Sequence, residues 1–149
     1  MIKIIWSRRN EIICKSLLES ALETAKDKKV NVDILSVPGA FEIPFALQCA
    51  LKSNQVQGVV VLGCLIRGET PHFEALMGPI FSQIQNLSLE YSKPVGTGIL
   101  TVENLNQAFD RAGGKLGNKG REAVDVVSEL ILKFGNLKKF ENLNKDLIQ

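Results

Sequence analysis

The stretch GVVVLGCLI, Gly58–Ile66, narrows most what this chain can fold into. Its nine residues carry no charge and show no alternation of apolar with polar side chains. A half-buried strand alternates, because successive side chains point to opposite faces. A run without alternation fits a strand covered on both faces, the position of an interior strand in a parallel sheet. Parallel neighbours are joined by crossovers, usually helices, and not by tight turns.

The flanking sequence supplies those helices. Ile2–Ser7 reads as a short apolar strand, and Asn10 is a candidate cap for the helix that starts at Glu11. Ile13, Leu17, Ala21 and Ala25, with Cys14, Leu18 and Leu22 beside them, form an amphipathic stripe that ends at Lys26–Lys29. Val30–Val37 reads as a second strand, closed by Pro38-Gly39. The helix after it carries Phe41, Phe45 and Cys49 on one line, with Pro44 near the first turn, where proline is tolerated. Beyond Ile66 a helix is expected from about Pro71 to Glu90. Gly78-Pro79 should kink or break it, since proline removes a donor and clashes one turn back. Val95–Leu100 is a fourth strand, and Thr101 is expected to cap a short helix through Arg111. After the loop GGKLGNKG, a last helix has Ala123, Val126, Val127, Leu130, Ile131 and Phe134 on one side and stops at Gly135. The tail, residues 136–149, is polar and poorly periodic and reads as frayed or as a short extra helix. The pattern predicts a single α/β domain over residues 1–149, with a four-stranded parallel sheet flanked by helices.

Composition sets limits on partners and location. With 45% hydrophobic and 23% charged residues, the chain has the make-up of a soluble globular protein. A net charge of +2, without a concentrated basic face, argues against nucleic acid as a partner. Cys14, Cys49 and Cys64 are odd in number, form no C-x-x-C pair and lie in apolar stretches. They read as small core residues in a reducing compartment, not as a disulfide framework or zinc ligands. No signal-peptide core opens the chain, and no run approaches the roughly 18 apolar residues of a membrane helix. The expectation is a cytoplasmic protein with no membrane partner.

Ligands of open parallel sheets bind beyond the carboxyl ends of the strands. Here those ends carry Ser7-Arg8-Arg9-Asn10, Pro38-Gly39-Ala40-Phe41-Glu42, Arg67-Gly68-Glu69-Thr70-Pro71-His72, and Thr101. Gly68-Glu69-Thr70 opens a helix, and free N–H groups there suit an anion; the plainer reading makes Thr70 a cap. His72 is the only histidine. Alone it reads as an ordinary surface residue; beside an anion site it reads as a proton shuttle. The loop Arg111–Glu122 sets four cations among four glycines, which suits phosphate or simply a basic loop, and it contains no P-loop pattern.

Taken together, four segments resemble the lumazine synthase family: Ser7-Arg-x-Asn10, Val37-Pro-Gly-Ala-Phe-Glu-Ile-Pro44, Gly63-Cys-Leu-Ile-Arg-Gly-Glu-Thr-Pro-His-Phe73 and Arg111-Ala-Gly-Gly-Lys-Leu-Gly-Asn-Lys-Gly120. The resemblance spans about Ile4 to Phe134. It implies a flavodoxin-like three-layer fold and the penultimate step of riboflavin biosynthesis. In that step 5-amino-6-(ribitylamino)uracil and 3,4-dihydroxy-2-butanone 4-phosphate give 6,7-dimethyl-8-ribityllumazine, phosphate and water, with no metal or organic cofactor. An imine forms, phosphate is eliminated, and the ring closes and dehydrates.

By the same resemblance His72 moves protons, while Glu69, Thr70 and Arg111 bind phosphate. Ala40, Phe41 and Glu42 hold the ribityl chain, and Cys64, Leu65 and Ile66 face the pyrimidine. Asn10, Arg67, Lys115 and Lys119 support the site. The family assembles as pentamers, some building icosahedral shells of twelve pentamers, with the site shared between neighbouring subunits. Two positions depart from the family pattern: Arg9 stands where it has an aromatic residue stacked on the pyrimidine, and Thr97 where it commonly has Phe, which closes the pocket from the next subunit. Arg9 can stack its planar guanidinium on the ring instead, and Trp6, three residues earlier, either leans into the gap or, on the plainer reading, belongs to the core. The runner-up reading is a catalytically weak assembly that binds flavin or lumazine. A phosphosugar isomerase would share the anion turn but has no use for the ribityl-binding segment.

Overall fold

The computed structural model describes residues 1–68 and 72–135. Its sheet has four parallel strands in the order β2-β1-β3-β4. β1 is Ile2–Ser7, β2 Val32–Val37, β3 Gly58–Ile66 and β4 Val95–Val102. Five helices connect or follow them: α1 (Glu11–Asp27), α2 (Ile43–Leu51, entered through a 3₁₀ turn at Ala40–Glu42), α3 (Phe73–Tyr91), α4 (Leu105–Arg111) and α5 (Lys119–Phe134). Two short antiparallel strands, β5 (Ala112–Gly114) and β6 (Gly117–Asn118), form a hairpin between α4 and α5.

This is the flavodoxin-like order, with its reversal between β1 and β3. β3 is flanked by β1 and β4, and all nine of its residues are buried. Its apolar run serves two cores at once. Val59, Val61 and Leu65 face Ile43 and Leu47 of α2 and Ile80, Ile84 and Leu87 of α3. Val60, Leu62 and Cys64 face Leu17 and Ala21 of α1 and Val124 and Val127 of α5. Each buried Val, Leu or Ile contributes about 1.5–3 kcal/mol, so this strand anchors all three layers. Among the described residues no helix is long and apolar enough to cross a membrane.

Several local expectations need correction. Asn10 does not cap α1 with its side chain; it sits in the left-handed region at φ 55°. β2 begins at Val32, because Lys29 at φ 56° turns the chain first. Thr101 lies inside β4, and Asn104 caps α4 instead, its side chain accepting from the Gln107 N–H at 2.9 Å. α3 runs through Gly78-Pro79 as one element; both residues are exposed, so water can reach the carbonyl that proline leaves unpaired. The buried side of α5 is Gly120, Ala123, Val124, Val127 and Ser128, leaving Val126 and Phe134 exposed. Cys14 and Cys64 are buried, but Cys49 is exposed, on the same outer line of α2 as Phe45. The tail lies outside the described residues.

Candidate active site

In sheets of this kind the reversal of strand order, here between β1 and β3, marks the ligand crevice at their carboxyl ends, and Asn10 bridges those two strand ends. Its Nδ2 donates to the Cys64 carbonyl at 3.0 Å, which ties the β1–α1 turn to the end of β3. The left-handed conformation that spoils Asn10 as a cap turns it toward this bond. Arg9, beside it, is exposed; its N–H donates to Ser7 Oγ at 3.2 Å, and its carbonyl accepts from Cys14 Sγ at 3.2 Å. Burial, with Cys64 nearby adding to it, pushes the Cys14 thiol up to about 12. Cys14 is therefore a protonated packing residue beneath the crevice.

The turn after β2 brings the second group of residues. Ala40 is buried, whereas Phe41 is 69% exposed and Glu42 is exposed. The Glu42 N–H donates to the Gly39 carbonyl at 3.2 Å, and its carboxylate folds back over Gly39, leaving little room for a side chain there. Cys64, Leu65 and Ile66 end β3 and are buried, so they offer a ligand chiefly main-chain edges.

Arg67 follows β3, and its N–H donates to the Val102 carbonyl at 2.8 Å. Its Nε donates to Glu103 at 3.0 Å and its Nη1 to Glu74, while the guanidinium lies 4.8 Å from the Phe73 ring centroid. His72 stands at the mouth of α3, exposed, its imidazole making no capping bond and its carbonyl accepting from the Leu76 N–H at 2.9 Å. Glu69 and Thr70 lie outside the described residues, so the anion turn expected there is not described.

The remaining expected residues gather elsewhere. Thr97, Arg111 and Lys119 line an open groove of ≈ 430 Å³ between β4 and α5, together with Thr101 and Glu122. Arg111 Nη1 donates to the Gln107 carbonyl at 3.3 Å, and Lys119 pairs with Glu122 at 2.6 Å. Lys115 is exposed at the tip of the β5–β6 hairpin. Thr97 pairs in register with Val61, whereas Val102 pairs with Ile66, so Thr97 stands five residues, roughly 16 Å, back from the strand end. One chain thus carries two sets: Arg9, Asn10, Ala40–Glu42, Cys64–Arg67 and His72 at or just beyond the carboxyl ends of β1, β2 and β3, and Thr97, Arg111 and Lys119 on the flank of β4.

Glu74, Glu103 and Asn118 were not singled out from the sequence. Register could have found Glu103, since Ile66 pairs with Val102 and the next residues, Arg67 and Glu103, carry opposite charge. Asn118 locks the start of α5, accepting from the Gly120 N–H at 2.8 Å and donating to the Ser16 carbonyl at 3.2 Å.

The fold is of the flavodoxin-like α/β class, with polar side chains at the carboxyl edge of its parallel sheet. The chain belongs to the 6,7-dimethyl-8-ribityllumazine synthase family, whose model matches residues 1–134. It is 44% identical over 140 residues to the 6,7-dimethyl-8-ribityllumazine synthase of Campylobacter fetus subsp. fetus, covering 92% of this chain and 90% of that one. The enzymes of the same name from Nitratiruptor sp. and Helicobacter pylori are each 45% identical, covering 87% of this chain and 86% and 85% of theirs.

Proposed function

We infer that this protein catalyses the reaction its family is named for. It condenses 5-amino-6-(ribitylamino)uracil with 3,4-dihydroxy-2-butanone 4-phosphate to give 6,7-dimethyl-8-ribityllumazine, phosphate and water. The observation that carries this reading is family membership across nearly the whole described chain, with the motif residues that follow β1, β2 and β3 standing at the carboxyl ends of neighbouring parallel strands. His72, exposed and with its ring uncommitted to capping, moves the protons of imine formation and phosphate loss. Arg111 neutralises the phosphate with Glu69 and Thr70, and Lys115 and Lys119 add positive field. Ala40, Phe41 and Glu42 hold the ribityl chain, with Cys64, Leu65 and Ile66 along the pyrimidine. Much of the acceleration comes from holding two substrates together. The reaction needs no cofactor, metal, nucleic acid or membrane, and we take the enzyme to be cytoplasmic.

The separation of the two residue sets supports a site completed by a neighbouring copy. Phe41 and Phe45 are exposed at the 3₁₀ turn and the start of α2, while Leu105, Phe109, Leu116 and Val126 are exposed around α4, the hairpin and α5. Two unlike apolar patches on one subunit suit head-to-tail contacts, which close into rings. We take a pentamer as the unit, with a shell of twelve pentamers as the larger form. Family membership disfavours the weak binding assembly as an alternative.

The test is a spectrophotometric assay of purified protein with both substrates, following the lumazine and released phosphate together. Absence of both products from a folded oligomer would end this reading. In the same assay Arg9→Phe is expected to lower KM for the uracil substrate about threefold to tenfold, the value of one aromatic stacking contact. An unchanged KM would remove Arg9 from the ring-stacking position.

A further inference from the structure

Three segments converge on the guanidinium of Arg67: the end of β3, the first turn of α3 and the β4–α4 turn. Nε is taken by Glu103, Nη1 by Glu74, and the flat face by Phe73, which is itself buried in the core. Glu103 is held in turn, its N–H donating to Gln107 Oε1 at 2.8 Å. His72 immediately precedes Phe73 and lies two residues before Glu74. From these contacts we propose that Arg67, Glu103 and Glu74 form a positioning clasp that fixes where His72 stands, and that Arg67 is not a ligand of the substrate phosphate. This rests on the reading of His72 given above.

Charge and geometry both favour the clasp. A phosphate approaching Arg67 would meet two carboxylates already seated on it. Among the described residues Arg111 pairs with no carboxylate and donates only to a backbone carbonyl, so it retains its charge for an anion. The pairs of Arg67 are exposed, and such pairs add little to stability. Their effect is placement. Arginine suits the role because a planar fork can hold two carboxylates while stacking on a ring, which lysine cannot do.

The experiment compares Arg67→Lys, Arg67→Gln, Glu103→Gln and the Arg67→Lys/Glu103→Gln double variant with the parent. It reads kcat, KM for each substrate, and the NMR ring-proton signals of His72, which are unambiguous because the chain has one histidine. Each single variant is expected to lose about tenfold in kcat, a typical cost of misplacing a catalytic group, with KM for the ketone phosphate unchanged. The double variant should be no worse than Arg67→Lys, and the His72 signals should shift in all four. A raised KM for the ketone phosphate with intact kcat in Arg67→Gln would make Arg67 a phosphate ligand and overturn the proposal. Additive losses in the double variant, or His72 signals unmoved by Glu103→Gln, would overturn it as well. The NMR readout needs no turnover, so an inactive parent would be recognised separately.

Discussion

Oligomers assembled from an equal mixture of His72→Ala and Arg111→Ala subunits are expected to regain about a quarter of the parent activity, although each variant alone loses nearly all of it. Removing a general acid–base group costs about 10²–10⁴-fold. Removing a charge that stabilises the departing phosphate costs about 10²–10³-fold. If each site takes His72 from one subunit and Arg111 from its neighbour, a site is intact only when the first subunit is the Arg111 variant and the second the His72 variant. Random mixing meets both conditions in roughly one site in four. The basis is the division of the chain described above, with His72 at the mouth of α3 and Arg111 in the groove beside β4. The measurement is the rate after the two variants are unfolded together, refolded and purified through a tag on each. A rate no greater than the sum of the separate variants would put both residues in one subunit's site.

What the sequence made legible follows from how local each cause is. β3 was plain because burial on both faces removes alternation, and that depends only on the strand's own residues. The sheet class followed from it. Thr101 was misread because threonine is a good cap wherever a helix starts, but Val102 still pairs with Ile66, so the strand runs on and Asn104 inherits the cap. Proline at 79 looked like a break because propensity carries no information about exposure. Cys49 looked like core because its neighbours are apolar, whereas the line it shares with Phe45 faces outward. Asn10 reads as a cap because asparagine favours that position, whereas its side chain bonds to Cys64, 54 positions away, which has no local signal. The acidic partners of Arg67 come from two different elements, Glu103 through the register of β3 with β4 and Glu74 from the first turn of α3, and neither leaves a mark in local propensity.

The start of α5 yields the largest stability effect. Replacing Gly120 with alanine is expected to destabilise the protein by about 3 kcal/mol or more, at the upper end of overpacking costs. The added Cβ would stand 2.0 Å from the Leu17 carbonyl oxygen and 2.8 Å from its carbon. Both are backbone atoms in the middle of α1, so no rotamer change relieves the clash. Backing α5 away would strain the bonds of Asn118 to Gly120 and Ser16. Farther along the same helix, the Ala123 carbonyl sits where a side chain at Gly96 would have it at 2.4 Å, so the seat of α5 on β4 is as tight as its seat on α1. At a fixed protomer concentration, Tm should fall by about 6–12 °C. Because Lys119 and Thr97 line the groove between α5 and β4, activity should fall with it. Gly63→Ala provides the contrast. Its Cβ would meet Ile43 at 3.5 Å and Ile99 at 3.7 Å, which is ordinary contact, so the melting temperature should hold or rise by an amount worth up to about 1 kcal/mol. Equal melting of the two variants would mean that α5 does not lie on α1 as closely as described, and the groove that holds Arg111 would have to be redrawn.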